Sequence, residues 1–297
     1  MRMTRLSSCV GLLAVIAMLA GSCGRKKEIS APDGRLEVAT GLAPVGSLIR
    51  AVGGDSVAVT VLLESGADPE QFDPGATAMK SLSKSRVFFT LGMLPFEKKI
   101  VGNLDNHTAA CNITENIEPI WGTHGDEADP HVWMSVRNLK AMAQTVAAEL
   151  CRTRPSADRY FKSRLEQLEN KLDSLDSSWN ARIAPINGKA FVVGHPTLSY
   201  FTRDYPVRQI ATGAEGHKEQ TARDIRNRID EAKGAGARLI FAQPGNEGRM
   251  ARDLATQLGA EIVEFDPMSP ETLVQLETVV DKLTETYGKR QSHNQAD

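Results

Sequence analysis

The chain has 297 residues, 35 of them basic and 37 acidic, for a formal charge of −2. That balance gives no argument for a nucleic-acid binder, which usually carries a basic face, and the length is enough for two domains of ordinary size. Its 4 cysteines include no CxxC pair, which excludes a cysteine-based zinc site.

The N-terminus reads as an export signal. Arg2 and Arg5 precede an almost wholly apolar run from Val10 to Ala20, followed by Gly21-Ser22-Cys23. The apolar core is too short to span a bilayer. Ala20-Gly21-Ser22-Cys23 resembles the bacterial lipobox, whose cysteine is lipidated and becomes the mature N-terminus. Residues 1–22 are therefore expected to be a signal peptide and 23–34 a polar tether starting at Cys23. Removing Arg2 and Arg5 with the signal leaves 33 of the 35 basic residues against 37 acidic ones, a formal charge of −4. No later segment has the apolar length of a membrane span. Cys111 and Cys151 remain in the body, and spacing alone leaves open whether they pair or stand as separate thiols.

Residues 35–155 read as a first α/β domain. Strands are expected at 35–40, 57–63 and 86–91, where short β-branched or apolar runs lie between turn residues. Helices are expected at about 44–53 and 75–84. A stronger helix runs from Ser135 to Cys151, with Leu139, Met142, Val146 and Leu150 on one face. Next, Phe161, Leu165, Leu168, Leu172, Leu175 and Trp179 fall at steps of three and four. They predict one long helix within 156–185, roughly 40 Å from end to end, a stiff strut between two domains. Residues 186–290 repeat the first pattern, with strands at 190–193, 238–242 and 261–265 and helices near 219–234 and 246–258. A closing helix at 270–287 has Pro270 in its first turn and Gly288 at its end. Strands alternating with helices predict parallel sheets in both halves.

Four residues stand where chemistry is expected. Glu70 follows the strand 57–63, His195 follows 190–193, and Asp266 ends 261–265 just before Pro267. His131 opens the helix at 135–151. Open α/β sheets bind ligands beyond the carboxyl ends of their strands. Two facing domains would bring two of these residues each to one cleft, a closed N/O site for one divalent ion. Each has a plainer role as well. His131 can make local helix-start hydrogen bonds, His195 can cap its strand, Asp266 can form a turn, and Glu70 can be an exposed loop acid replaced by Asp68 or His124.

Taken in order, five segments resemble the metal-binding proteins of bacterial ABC importers for zinc or manganese. They are Gly53-Gly-Asp-Ser-Val57, Ser65-Gly-Ala-Asp-Pro69 with Phe72-Asp-Pro74, Asp129-Pro-His-Val-Trp133, Phe191-Val-Val-Gly-His195 and Phe265-Asp-Pro-Met268. The resemblance implies two α/β domains joined by one long rigid helix, with metal in the interdomain cleft. It also implies a lipid-anchored carrier that serves an ABC permease and its ATPase. Ligands match at His131, His195 and Asp266. At Glu70 relatives usually place histidine, so this site is two imidazoles and two carboxylates. Carboxylates suit Mn2+ and imidazole suits Zn2+, and zinc leads because affinity rises along that series.

Relatives often carry a longer His- and acid-rich loop where this chain has His124, Asp126 and Glu127, read here as a solvated loop. His217, His107 and His293 are expected at the surface. Two other function classes compete with the carrier. A metal-dependent hydrolase could use Glu70 as general base, although no HExxH, GxSxG or P-loop occurs. A metal-stabilised adhesin is the other.

Overall fold

The computed structural model describes residues 34–63, 69, 71–124, 127–213, 221–244 and 248–288. The expected signal, Cys23, most of the tether, Glu70, Asp68, Asp126, His217 and His293 lie outside these residues.

In the first half, β1 (Leu36–Thr40), α1 (Ala43–Gly53), β2 (Val57–Val61), α2 (Ala76–Leu82), β3 (Val87–Thr90), α3 (Pro95–Val101) and β4 (Ala109–Asn112) alternate along the chain. The strands form one sheet in the order β2-β1-β3-β4, and every neighbouring pair is parallel. The second half holds β7 (Ala190–Val193), α6 (Ser199–Asp204), β8 (Arg208–Ala211), α7 (Ala222–Gly234), β9 (Leu239–Ala242), α8 (Gly248–Leu258), β10 (Glu261–Glu264) and α9 (Thr272–Gly288). Its sheet order is β10-β9-β7-β8, again parallel throughout. Counted within its own half, each sheet runs second, first, third, fourth. The two halves therefore share one topology, and each has its switch point between its first and third strands.

The sequence reading missed α3, α6, β4 and β8. Both strands are edge strands of four residues with few β-branched side chains, so their pairing is set by the sheet and not by local pattern. By contrast β3, β7 and β9 are buried along their whole length, as strands covered on both faces are. Residues 121–124 and 127–128, in a stretch expected as a loop, pair as antiparallel strands β5 (Trp121–His124) and β6 (Glu127–Ala128). His124 lies on β5.

Two long helices follow the first sheet, and the second of them joins the halves. α4 (Val136–Thr153) is capped by Ser135, whose hydroxyl accepts the Asn138 N–H at 3.1 Å. α5 (Asp158–Ile183) has 26 residues, about 40 Å at 1.5 Å per residue. It packs on α1 near its start, on α4 along much of its length through Gln144–Glu169, Lys140–Asp173 and Arg137–Asp176, and on α9 near its end. Tyr160 and Phe161 are buried at one end, Trp179 and Ile183 at the other. Trp179 Nε1–H donates to Glu277 of α9 at 2.6 Å, and Arg182 pairs with Glu277 and Asp281. The strut is thus fixed to both halves, which makes it stiffer than a flexible linker.

Glu97 on α3 closes the switch point of the first sheet. It is 1% exposed, and its carboxylate accepts the Leu91 N–H at 3.1 Å and the Gly92 N–H at 3.0 Å. Gly41, just after β1, has to be glycine here, because a Cβ would stand 2.6 Å from the Phe96 ring. Burial pushes Glu97 up to about 7 from 4.5, against the pull of its backbone donors. Folded Glu97 then holds its proton up to about pH 7, whereas the unfolded chain releases it near 4.5. Its contribution to stability is fully present below the unfolded value and is lost as pH rises through the folded one, roughly 3 kcal/mol in all. Between pH 5 and 8 the wild type should lose more denaturant stability than Glu97→Gln. Parallel profiles for the two proteins would refute this.

Both Cys111 and Cys151 are free thiols. Burial pushes Cys111 up to about 12, helped by Glu149, and Cys151 up to about 11, helped by Asp158. Thiols held so far above neutrality are poor nucleophiles.

Candidate metal site

His131 and His195 meet where the halves face each other. Their ring centroids lie 5.3 Å apart in an edge-on arrangement. His131 comes from the first half, at the entry to a short 3-10 turn (Val132–Met134) before α4, and is 5% exposed. His195 lies two residues beyond β7, at the switch point of the second sheet, and is half-buried. Its loop leans on Gly213, whose N–H donates to Gly194 O at 2.6 Å. A Cβ at Gly213 would sit 2.4 Å from that oxygen, so only glycine permits the approach.

Asp129 sets the orientation of His131. This fully buried aspartate accepts both the His131 backbone N–H at 2.9 Å and ring Nδ1 at 2.8 Å. A carboxylate can only accept, so Nδ1 carries the proton and Nε2 carries the lone pair. That is the tautomer a metal-binding imidazole needs, and the carboxylate behind it fixes the orientation of the ring. Asp129 is itself held from the other half, because Tyr200 of α6 donates its hydroxyl to Asp129 O at 2.9 Å. The same Tyr200 oxygen accepts the Ile120 N–H at 3.2 Å, so one side chain fixes both ends of the β5–β6 pair.

Asp266 lies two residues past β10. Its N–H donates to Gln275 Oε1 at 2.9 Å, and its Oδ1 accepts the Met268 N–H at 2.9 Å. The turn-forming role expected of Asp266 is therefore present. A carboxylate with about four lone-pair sites can also serve a cation. Its neighbour Pro267 is joined to the His131 segment, since Trp133 Nε1–H donates to Pro267 O at 2.8 Å. Trp133 is fully buried, with its ring 5.3 Å from that of His131.

Of the four expected ligands, the two histidines come together, Asp266 is in a turn bonded to the His131 segment, and Glu70 is outside the described residues. Among the described residues no group of three or more His, Cys, Asp or Glu is close enough to hold an ion. The reading from sequence gave Asp129 and Tyr200 no role. Asp129 carried a signal, an acid two residues before a candidate histidine. Tyr200 carried none, because its partners are 71 and 80 residues away. His107 is exposed as expected, with its Nδ1 3.0 Å from Arg86 Nη1.

Asp129→Ala should weaken metal binding by about 10- to 100-fold, the usual cost of removing a carboxylate behind a ligating imidazole. Titration calorimetry measures it, and an unchanged affinity would show that Asp129 serves the fold alone.

Residues 38–294 match the family described as zinc-uptake complex component A, periplasmic (ZnuA). The chain belongs to this family. Among relatives, a Treponema pallidum (strain Nichols) protein is 25% identical over 307 residues, covering 97% of this chain and 94% of its own. The zinc-binding lipoprotein AdcA of Streptococcus pneumoniae (strain ATCC BAA-255 / R6) is 24% identical over 86% of this chain. The chain spans 54% of AdcA's length. The manganese-binding lipoprotein MntA of Halalkalibacterium halodurans is 21% identical, covering 78% of this chain and 79% of its own. The crystal structure of a zinc-bound ZnuA deletion mutant matches with a TM-score of 0.79 at 24% identity, covering 86% of this chain and 98% of that one. The ZnuA family is one of metal-uptake components, and its fold is the pair of parallel-sheet domains and strut described above.

Proposed function

We propose that this ZnuA-family chain is the lipid-anchored receptor of an ABC importer. It captures a divalent metal ion outside the inner membrane and delivers it to a permease driven by an ATPase. Glu70, His131, His195 and Asp266 are the proposed ligands, and Zn2+ is the preferred ion ahead of Mn2+. The observation that carries the reading is the His131–His195 pair, one ring from each half, with Asp129 behind the first. Two imidazoles suit zinc, and two carboxylates keep manganese within range.

Membership in a family of uptake components favours this carrier over the hydrolase with Glu70 as base and over the adhesin. Among the described residues no helix is long and apolar enough to cross a membrane. Anchoring is assigned to a lipid on Cys23, after cleavage of residues 1–22, on the strength of the Ala20-Gly21-Ser22-Cys23 motif. Release is assigned to a small tilt or loop movement, because α5 is bonded at both ends. Small-angle scattering should then change little between apo and loaded protein, and wide opening would contradict it.

The test is elemental analysis of protein purified without added metal, followed by competition between zinc and manganese. One equivalent of zinc that resists manganese is the expected result. Affinity should fall as acid protonates the imidazoles, since both must be neutral to ligate. Metal-dependent hydrolytic turnover, or no stoichiometric metal, would overturn the reading.

A further inference from the structure

A second feature lies at the far edge of the first sheet, away from the histidines. Arg35 before β1, Arg50 on α1 and Arg164 on α5 line one basin of about 600 Å³, together with Gly54, Asp55 and residues 57–59 of β2. β2 is the edge of its sheet, so among the described residues the basin runs along a strand paired on one side only. Among the described residues that line it, the acid facing the three guanidiniums is the exposed Asp55. Arg50 donates to Val59 O at 3.1 Å and Arg164 to Ala51 O at 2.9 Å, both backbone carbonyls. Those bonds fix the two side chains in place without cancelling their charge. Planar guanidiniums with donors to spare are the usual recognition group for phosphate.

The position of the basin says which phosphate. Arg35 directly follows Gly34, the last residue of the expected tether, and Arg154 secures that point by donating to Gly34 O at 2.7 Å and to Ser56 O at 3.2 Å. Gly54, Asp55 and Val57, which flank Ser56, line the basin. Between Cys23 and Gly34 stand residues 24–33, at most about 40 Å when fully extended. The sequence there opens with Gly24-Arg25-Lys26-Lys27. The basin thus sits where the chain leaves for its anchor.

We propose that the Arg35–Arg50–Arg164 basin is a phosphate site that seats the headgroup of an anionic lipid in the membrane holding the anchor. This rests on the reading of Cys23 as the lipidated residue. Seating the headgroup holds the β2 edge against the membrane, so the anchored body takes one preferred orientation and does not tumble on its tether. The site also covers an edge strand that would otherwise be open to pairing.

The test uses the full mature chain with Cys23→Ser, so that no acyl chain contributes. It is floated with vesicles of phosphatidylcholine alone or with phosphatidylglycerol added. Binding should require phosphatidylglycerol, weaken with salt, and fall about fivefold for each of Arg35→Gln, Arg50→Gln and Arg164→Gln. Lys98→Gln on α3 removes an equal charge elsewhere and should change little. Equal loss with Lys98→Gln, or equal binding to both vesicle types, would overturn the proposal. So would saturable binding of inorganic phosphate without vesicle binding, which would make the ligand a free anion. If a glutamine variant fails to fold, Arg50→Lys and Arg164→Lys keep the charge. They should retain vesicle binding, and its loss in a folded lysine variant would count against charge recognition. Mass analysis of the mature N-terminus tests the Cys23 reading separately, so an unacylated Cys23 and a silent basin are distinct outcomes.

Discussion

Alanine in place of His131 or His195 is expected to lower zinc affinity by more than about 100-fold while leaving the chain folded. Removing a group behind a ligand already costs 10- to 100-fold, and removing the ligand exceeds that. The two variants differ in a useful way. His131 is 5% exposed and is the donor to the buried Asp129, so its loss leaves a buried carboxylate short of a partner. That should lower stability by about 1–3 kcal/mol. His195 is half-buried, and its alanine variant should melt close to the wild type. If both rings hold one ion, the double variant should bind little worse than the weaker single one, because removing either already breaks the site. Calorimetry on all three decides it. Unchanged binding in either single variant, or independent and additive losses, would remove the shared site.

Much of this was legible in the chain because the relevant forces are local. The strut is visible in a stripe from Phe161 to Trp179, since one face must be buried along its length and the rest is polar. The fully buried strands at 190–193 and 239–242 announce themselves as continuous apolar runs. Positions at strand ends made His195 and Asp266 candidates before any contact was known. What stayed hidden depends on distant partners. β4 and β8 are strands because β3 and β7 are beside them. Glu97 lies on the missed α3, and its role rests on the Leu91 and Gly92 N–H groups turned onto it. Tyr200, on the missed α6, bridges Ile120 and Asp129 across the seam with its hydroxyl. Trp133 was quoted only as part of a motif, and its bond to Pro267 spans 134 residues. Contacts of that separation leave no periodic trace in a single sequence.

Trp133 carries the second large expected effect, in which size and hydrogen bonding can be separated. Trp133→Ala removes a fully buried ring and should cost about 3–5 kcal/mol, lowering the melting temperature by roughly 10 °C. Trp133→Phe keeps most of the volume but removes the Nε1–H that reaches Pro267 O. Leaving that buried carbonyl without its donor should cost only about 1–3 kcal/mol. Metal affinity should respond in a different order. The bond joins the His131 segment to the turn that carries Asp266, so losing it frees one proposed ligand relative to another. A drop of about 10- to 100-fold is expected from Trp133→Phe even though its fold is nearly intact. Denaturant titration and calorimetry on the same samples separate the two responses. Wild-type zinc affinity in a folded Trp133→Phe would mean that the bond stabilises the seam without positioning Asp266. The case for Asp266 as a ligand would then have to rest on its own substitution.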